Sequence, residues 1–227
     1  MYNHCFQKFG LDWAYLAFDV PAEKAGEVVA AIRTLHMRGA NVTMPCKNAV
    51  IPYLDELTPA AKAIQVVNTI VNENGRLVGH NTDGCGYTQN LRRNGVEVAG
   101  KKIVLLGGGG AASAIAIQAA LEGAAEIAVF NLKDSFWPRI EQGMRAISQA
   151  APSCAISLHD LNDREKLHAA IERCDILSNG TRVGMAPYED QSNIQDLSWF
   201  RPDLVVTDVV YAPPTTKMLR EARAAGC

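Results

Sequence analysis

Several features are scarce in these 227 residues, and each scarcity removes a class of function. Cysteine occurs six times, at positions 5, 46, 85, 154, 174 and 227, and never as a C-x-x-C pair. Neither a disulfide framework nor a zinc site is written in that pattern. The five histidines are equally dispersed, so no structural metal is expected. An excess of one charge is also missing: 22 Lys and Arg stand against 24 Asp and Glu, a net of −2. That balance offers no electrostatic argument for nucleic acid or for an anionic membrane. No apolar run approaches the ~20 residues of a membrane span, and no basic segment followed by an apolar one opens the chain. Together with the scattered thiols this points to a reducing cytoplasm. What remains is ordinary globular composition, 48% hydrophobic and 20% charged, and a length sufficient for one large or two small domains.

The most informative stretch is Ile103-Val-Leu-Leu-Gly107-Gly-Gly-Gly-Ala-Ala112. A short apolar run meets glycines, and an alanine-rich helical segment follows to Leu121, which reads as strand, tight turn, helix. Gly107 allows the sharp turn. Gly109 has no Cβ, so a pyrophosphate can approach the backbone. Gly110, Ala111 and Ala112 are small enough for the helix to pack close to the sheet, with its first N–H groups facing the anion. Spaced G-x-G-x-x-A, this is a dinucleotide fingerprint; the competing reading is a glycine-rich structural turn.

Before that stretch, Met1 to Gly10 has helical spacing with Gly10 as C-cap. Trp13 to Val20 alternates as a strand. Pro21 opens a helix whose Val28, Val29, Ile32 and Leu35 share a face up to Gly39, and Ala40 to Met44 is a second strand. This β-α-β arrangement predicts a parallel pair. Thr43 and Lys47 fall at the carboxyl end of that second strand, where ligands sit in open α/β sheets. The alternative is a strand residue followed by a solvated lysine. Thr58 and Pro59 mark an N-cap and N1. Residues 66–71 and 77–80 flank Asn72-Glu-Asn-Gly75 as a hairpin. Thr82 or Asp83 caps a helix running to Arg92, with capping as the default role for Asp83. A boundary is placed around residues 84–100. Beyond it strands at 103–106, 127–130, 155–158, 175–178 and 204–210 alternate with helices from 111, around 136–150 and at 163–173, the rhythm of a doubly wound parallel sheet. Residues 181–199 are irregular. The fold expected is α/β: an N-terminal α/β substrate domain at 1–84, then a Rossmann dinucleotide-binding domain at 100–227.

Six stretches, in order, resemble motifs of the shikimate/quinate dehydrogenase family. They are Asn41-Val-Thr-Met-Pro-Cys-Lys47, Val67-Asn-Thr69, Gly79-His-Asn-Thr-Asp-Gly84, the glycine loop, Asn179-Gly-Thr-Arg-Val-Gly-Met185 and Asp208-Val-Val-Tyr-Ala-Pro213. The resemblance runs nearly end to end. It implies that Lys47 and Asp83 form a catalytic pair, and that Thr43, Asn68 and Tyr211 bind a cyclic hydroxy acid, shikimate or quinate, oxidised at its C3 hydroxyl. The implied cofactor contacts are Gly107, Gly109, Gly110, Ala111, Asn131, Lys133, Asp134, Thr181 and Met185. A monomer or homodimer is expected. The chemistry is coherent: reducing a ring ketone requires a hydride and a proton, and a lysine ammonium supplies positive charge and the proton together.

Departures from the family pattern shape the remaining expectations. NADP-preferring members carry an arginine where Leu132 stands. Asp134 is placed to take ribose hydroxyls and to repel a 2′-phosphate. NAD is therefore the expected cofactor, with NADP possible through Lys133, as in the dual-cofactor quinate/shikimate branch. The family's opening strand with S-x-S-P and its closing glutamine-bearing helix are not among these residues. Residues 1–227 alone are accordingly expected to expose a sheet edge, to dissolve poorly and to turn over slowly. The second reading is a non-catalytic nucleotide-binding protein of the same fold.

Overall fold

The computed structural model describes residues 1–227. Two sheets organise it. In chain order the first region contains α1 (Tyr2–Lys8), α2 (Ala25–Thr34), β1 (Gly39–Asn41), α3 (Cys46–Ala49), β2 (Glu56–Leu57), α4 (Pro59–Ile64), β3 (Thr69–Glu73) and β4 (Arg76–His80). Its four strands are ordered β1-β3-β4-β2. The helix α5 (Asp83–Arg93) leads to the second region: β5 (Lys102–Leu106), α6 (Gly110–Leu121), β6 (Glu126–Asn131), α7 (Trp137–Ala150), β7 (Ala155–Asp160), α8 (Arg164–Arg173), β8 (Ile176–Asn179), β9 (Val205–Asp208) and α9 (Lys217–Ala224). The five strands are ordered β7-β6-β5-β8-β9 and all their pairings are parallel. Strand order reverses beside β5, so a crevice opens there at the carboxyl ends of the strands. No helix is long and apolar enough to cross a membrane.

The second sheet forms because its strands are apolar on both faces. Ile103, Leu105, Ile127 and Val129 pack on one side against α6 and α7, while Val104, Leu106, Ala128 and Phe130 face α8 and α9. Such strands read as continuous hydrophobic runs. Helix α6 is apolar nearly all round because α4, α5 and α7 also lie against it. Its contact with α5 is close: a Cβ at Gly84 would overlap the Ala114 carbonyl oxygen.

The first region is held by a smaller cluster, in which Ala25, Val29 and Ile32 of α2 meet Ile70 and Leu77 of the hairpin. Leu35, expected on that face, is exposed because α2 ends at Thr34. The hairpin turns through Asn74 and Gly75 alone, both at positive φ (55° and 98°), a tighter loop than the four residues expected. Thr58 caps α4 as expected, accepting from the Ala61 amide, with Pro59 at N1.

Two expectations fail. Trp13 to Val20 is not a strand, and Trp13, Tyr15, Leu16 and Phe18 are exposed. Alternation prepares a segment for a sheet, but a ladder needs a neighbour, and no strand pairs with this segment. The parallel β-α-β pair fails with it. The second strand shrinks to Gly39–Asn41 and pairs antiparallel with β3.

Candidate active site

Lys47 sits on the single turn of α3, directly after β1. The turn is anchored to the segment leading into β3 by the Val67 amide, which donates to the Lys47 carbonyl at 2.9 Å. Asp83 is the first residue of α5. It does not cap the helix, because the cap position falls on Thr82 and no side-chain cap bond forms there. The Asn81 side chain instead accepts the Asp83 amide at 3.1 Å. The Asp83 carboxylate is thereby free to face the lysine. Lys47 Nζ lies 3.5 Å from Asp83 Oδ2, and the two side chains are 25% and 44% exposed. An exposed pair at this distance adds little stability; what the geometry provides is an amine and a carboxylate held face to face.

Asn68 fixes the other side of Asp83. It is 8% exposed, and its Nδ2 donates to Asp83 Oδ1 at 2.8 Å. Its Oδ1 accepts from the Thr82 amide (2.9 Å) and from the hydroxyls of Thr69 and Thr82 (both 3.1 Å). The side chain is thus held by the turn that presents Asp83, so Asn68 orients the carboxylate. Thr43, also on the turn into α3, is exposed and its hydroxyl meets none of these three residues.

Across a cleft of about 680 Å³ from Lys47 and Asp83 lies the glycine loop, with Gly108, Gly109, Gly110 and Ala111 in its wall. That volume is in the range of small-molecule sites. Gly107 turns at φ +95°, and its amide donates to the Phe130 carbonyl at 2.7 Å. The amides of Gly109, Gly110 and Ala111 find no acceptor in the protein. They open a twelve-residue helix, so unpaired N–H groups and the helix dipole converge on the cleft. The close packing of helix on sheet falls at Ala112 rather than Gly110. Ala112 is fully buried against Gly180, whereas a Cβ on Gly110 would meet nothing within 4 Å.

The remaining candidates divide by the end of the crevice they occupy. At the end of β6, Asn131 accepts the Gly108 amide at 2.9 Å and so shapes the glycine loop. Asp134 Oδ1 accepts the Phe136 amide at 2.9 Å, which opens α7. The Lys133 ammonium rests over the Trp137 ring, 5.4 Å from its centre. At the end of β8, the Thr181 methyl leans on Gly107, where a Cβ would approach it to 2.9 Å. Thr181 Oγ1 donates to Asn179 at 2.6 Å. Met185 is partly exposed on the same loop. Tyr211 is not brought to the cleft: it is 89% exposed and its hydroxyl makes no hydrogen bond.

Sequence reasoning missed three groups. Arg139 on α7 lines the cleft and has no carboxylate partner. Asn179 and Asp208, register partners on β8 and β9, share a hydrogen bond of 3.0 Å. Burial pushes the Asp208 carboxyl above the ordinary aspartate range, against the donors from Val210, Thr216 and Asn179. Both residues open quoted motifs, so the signal was present, but neither position shows from sequence that the two meet.

The shikimate dehydrogenase substrate binding domain model matches residues 1–70. A shikimate dehydrogenase (NADP(+)) of Streptococcus uberis is 47% identical over 228 residues, covering 100% of this chain and 77% of its own. One from Listeria monocytogenes serotype 4b is 44% identical over 227 residues, covering 100% and 78%. The crystal structure of shikimate 5-dehydrogenase from Listeria monocytogenes, in complex with shikimate and NAD, matches with a TM-score of 0.96 at 43% identity, over 100% of this chain and 78% of that one. Identity at this level over the whole chain, carried by a backbone that superposes throughout, makes this chain an oxidoreductase of the shikimate dehydrogenase family.

Proposed function

We propose that the protein interconverts shikimate and its 3-dehydro acid with NAD or NADP, the first 84 residues serving the substrate and residues 100–227 the dinucleotide. The observation that carries this reading is the Lys47–Asp83–Asn68 array facing a glycine loop with three unpaired amides across one cleft. The loop fits a dinucleotide diphosphate: the amides are free, and a Cβ at Gly109 would point into open space, which leaves room for close approach. Nicotinamide, when bound, supplies the hydride acceptor.

The chain's own residues handle the proton. As the hydride leaves C3, the electron pair of the O–H bond becomes the second bond of the carbonyl, and the hydroxyl proton passes to the neutral Lys47 amine. In the reverse direction the Lys47 ammonium returns it to the developing alkoxide. Asp83, held by Asn68, orients the amine and stabilises the ammonium. Thr43, exposed on the turn that carries Lys47, serves the substrate's polar groups, and Tyr211, which lies away from the cleft, takes no part in this arrangement. Arg139, the cleft's unpartnered cation, adds positive charge beside the glycine loop for a phosphate. Leu132 and Asp134 support acceptance of NAD, and the NADP-linked relatives support NADP as well.

Initial rates with shikimate and quinate, each with NAD and NADP, test the reading. Turnover of shikimate is the expected result. Binding of dinucleotide without turnover of either acid would favour the non-catalytic alternative.

A further inference from the structure

We infer that Asp208 is a positioning residue for hydride transfer, pinning the loop after β8 at the end of the crevice opposite β6. The inference rests on the proposed dehydrogenase reading. It starts from register: in the parallel pair β8–β9, Asn179 lies beside Asp208 at the carboxyl ends of both strands. Asn179 Nδ2 donates to Asp208 Oδ1 (3.0 Å) and to the Val183 carbonyl (2.9 Å). Its Oδ1 accepts from the Thr181 amide (3.1 Å), the Thr181 hydroxyl (2.6 Å) and Asn193 Nδ2 (3.3 Å). The amide group therefore has no free valence, and it is 1% exposed.

Asp208 extends the network to two further segments. Its Oδ1 also accepts the Val210 amide at 2.9 Å, at the start of the Tyr211 loop. Its Oδ2 accepts the Thr216 hydroxyl at 2.7 Å. Thr216 is fully buried, caps α9, and sits where a Cβ on Gly184 would approach it to 3.1 Å. One carboxylate thus ties residues 181–185, the Tyr211 loop and the start of α9 together. The 181–185 strap in turn leans on the glycine turn through the Thr181 methyl.

The strand order makes this placement meaningful. A dinucleotide crossing the switch point beside β5 has one half toward the end of β6 and the other toward β8 and β9. With the end of β6 assigned to the adenosine ribose, the strap is the wall for the nicotinamide half. Displacing that wall slightly costs rate before it costs binding, because transfer requires near-attack geometry.

The test compares Asp208→Asn, which keeps shape but removes the charge and one acceptor, with Thr216→Val, which frees Oδ2 and also removes the α9 cap, so that its loss of stability is read separately in the melting temperature. Four readouts are taken: melting temperature, ADP affinity, turnover of 3-deuterated and unlabelled shikimate at saturating dinucleotide, and amide exchange at Val183 and Val210. For Asp208→Asn, kcat should fall by about tenfold or more with a larger deuterium isotope effect, while ADP affinity stays within about twofold. Thr216→Val should show the same pattern more weakly, and amide exchange should quicken in both. The role is overturned if kcat stays within about twofold of wild type in folded Asp208→Asn, or if ADP affinity falls in parallel with kcat, as general damage to the fold would cause. Should the wild type fail to oxidise shikimate, the dehydrogenase reading fails. Amide exchange then still decides the pinning, and unchanged rates at Val183 overturn it.

Discussion

The two halves of the cleft are built differently. The glycine loop stands on five parallel strands sandwiched between clusters of 20 and 14 buried residues. Lys47 stands on one helical turn above a four-stranded sheet whose cluster has eight. In the proposed reading backbone groups bind at the first site, so what matters there is the absence of side chains and the direction of N–H bonds. Side chains act at the second, and each is oriented by another: Asn68 holds Asp83, and the Val67 amide holds the turn that carries Lys47. A rigid sheet suits a ligand held through a fixed anion, and a network suits a group that must gain and lose a proton.

Substitutions can break this comparison or sharpen it. The largest effect is expected from Lys47→Ala: kcat falls by roughly 10²- to 10⁴-fold, the range for a general acid–base group, and dinucleotide affinity measured by titration does not move. Near-normal kcat would remove Lys47 from proton transfer. On the other side, two glycines of one loop should separate fold from ligand. Gly107→Ala forces a side chain to φ +95° against the Thr181 methyl and should cost about 1–3 kcal/mol, read as a lower denaturation midpoint. Gly109→Ala has an ordinary φ of −72° and open space around it. It should leave that midpoint alone while weakening dinucleotide binding by about tenfold, because the Cβ enters the diphosphate's approach. Equal effects of the two changes on stability would contradict the distinction.

Asp134→Asn is expected to act more mildly. The amide oxygen can still accept the Phe136 amide, so the start of α7 is kept, while the charge that repels a 2′-phosphate is gone. The NADP/NAD affinity ratio should rise by a factor corresponding to about 1 kcal/mol. A wild type that binds NADP alone would contradict the premise.

The smallest effect belongs to the first region. Asp55 is held below the ordinary aspartate range by the Arg33 guanidinium, then by the Leu77 amide. A lowered folded value means stability that is fully present above the ordinary pKa of about 3.9 and lost as pH falls through the folded value. Asp55→Asn should flatten the acid limb of the melting temperature, and an unchanged limb would show that the clasp of α2 on the hairpin carries no proton linkage.

The same contrast explains what could be read from the chain alone. Strands 103–106, 127–130, 155–158 and 175–178 all appear within two residues of their expected limits. The three inner ones are short runs buried on both faces, the edge strand at 155–158 turns Ile156 and Leu158 to the core, and each pairs with a neighbour that a helix brings back. Trp13 to Val20 carries an equally good alternation and pairs with nothing, because pattern encodes a face and not a partner. In the candidate site, Lys47, Asp83 and Asn68 were legible as motif positions. That Asn68 orients Asp83 depends on the turn at Thr82, which packing decides. Asp208 opens a motif, but its role was not legible for a related reason: it lies in contacts to Asn179 and Thr216, 29 and 8 residues away.

The close contact at Gly84 sets a datum for the whole cleft. The residue next to Asp83 presses bare backbone onto the Ala114 carbonyl of α6, the helix whose first turn holds Gly110. The separation between the carboxylate and the free amides is therefore a stack height, two helix radii with no side chain between them. The connecting segment 94–101 does not enter that dimension. It contributes Val98 to the core beside α6, while the tolerance that matters to chemistry is kept by a missing methyl group.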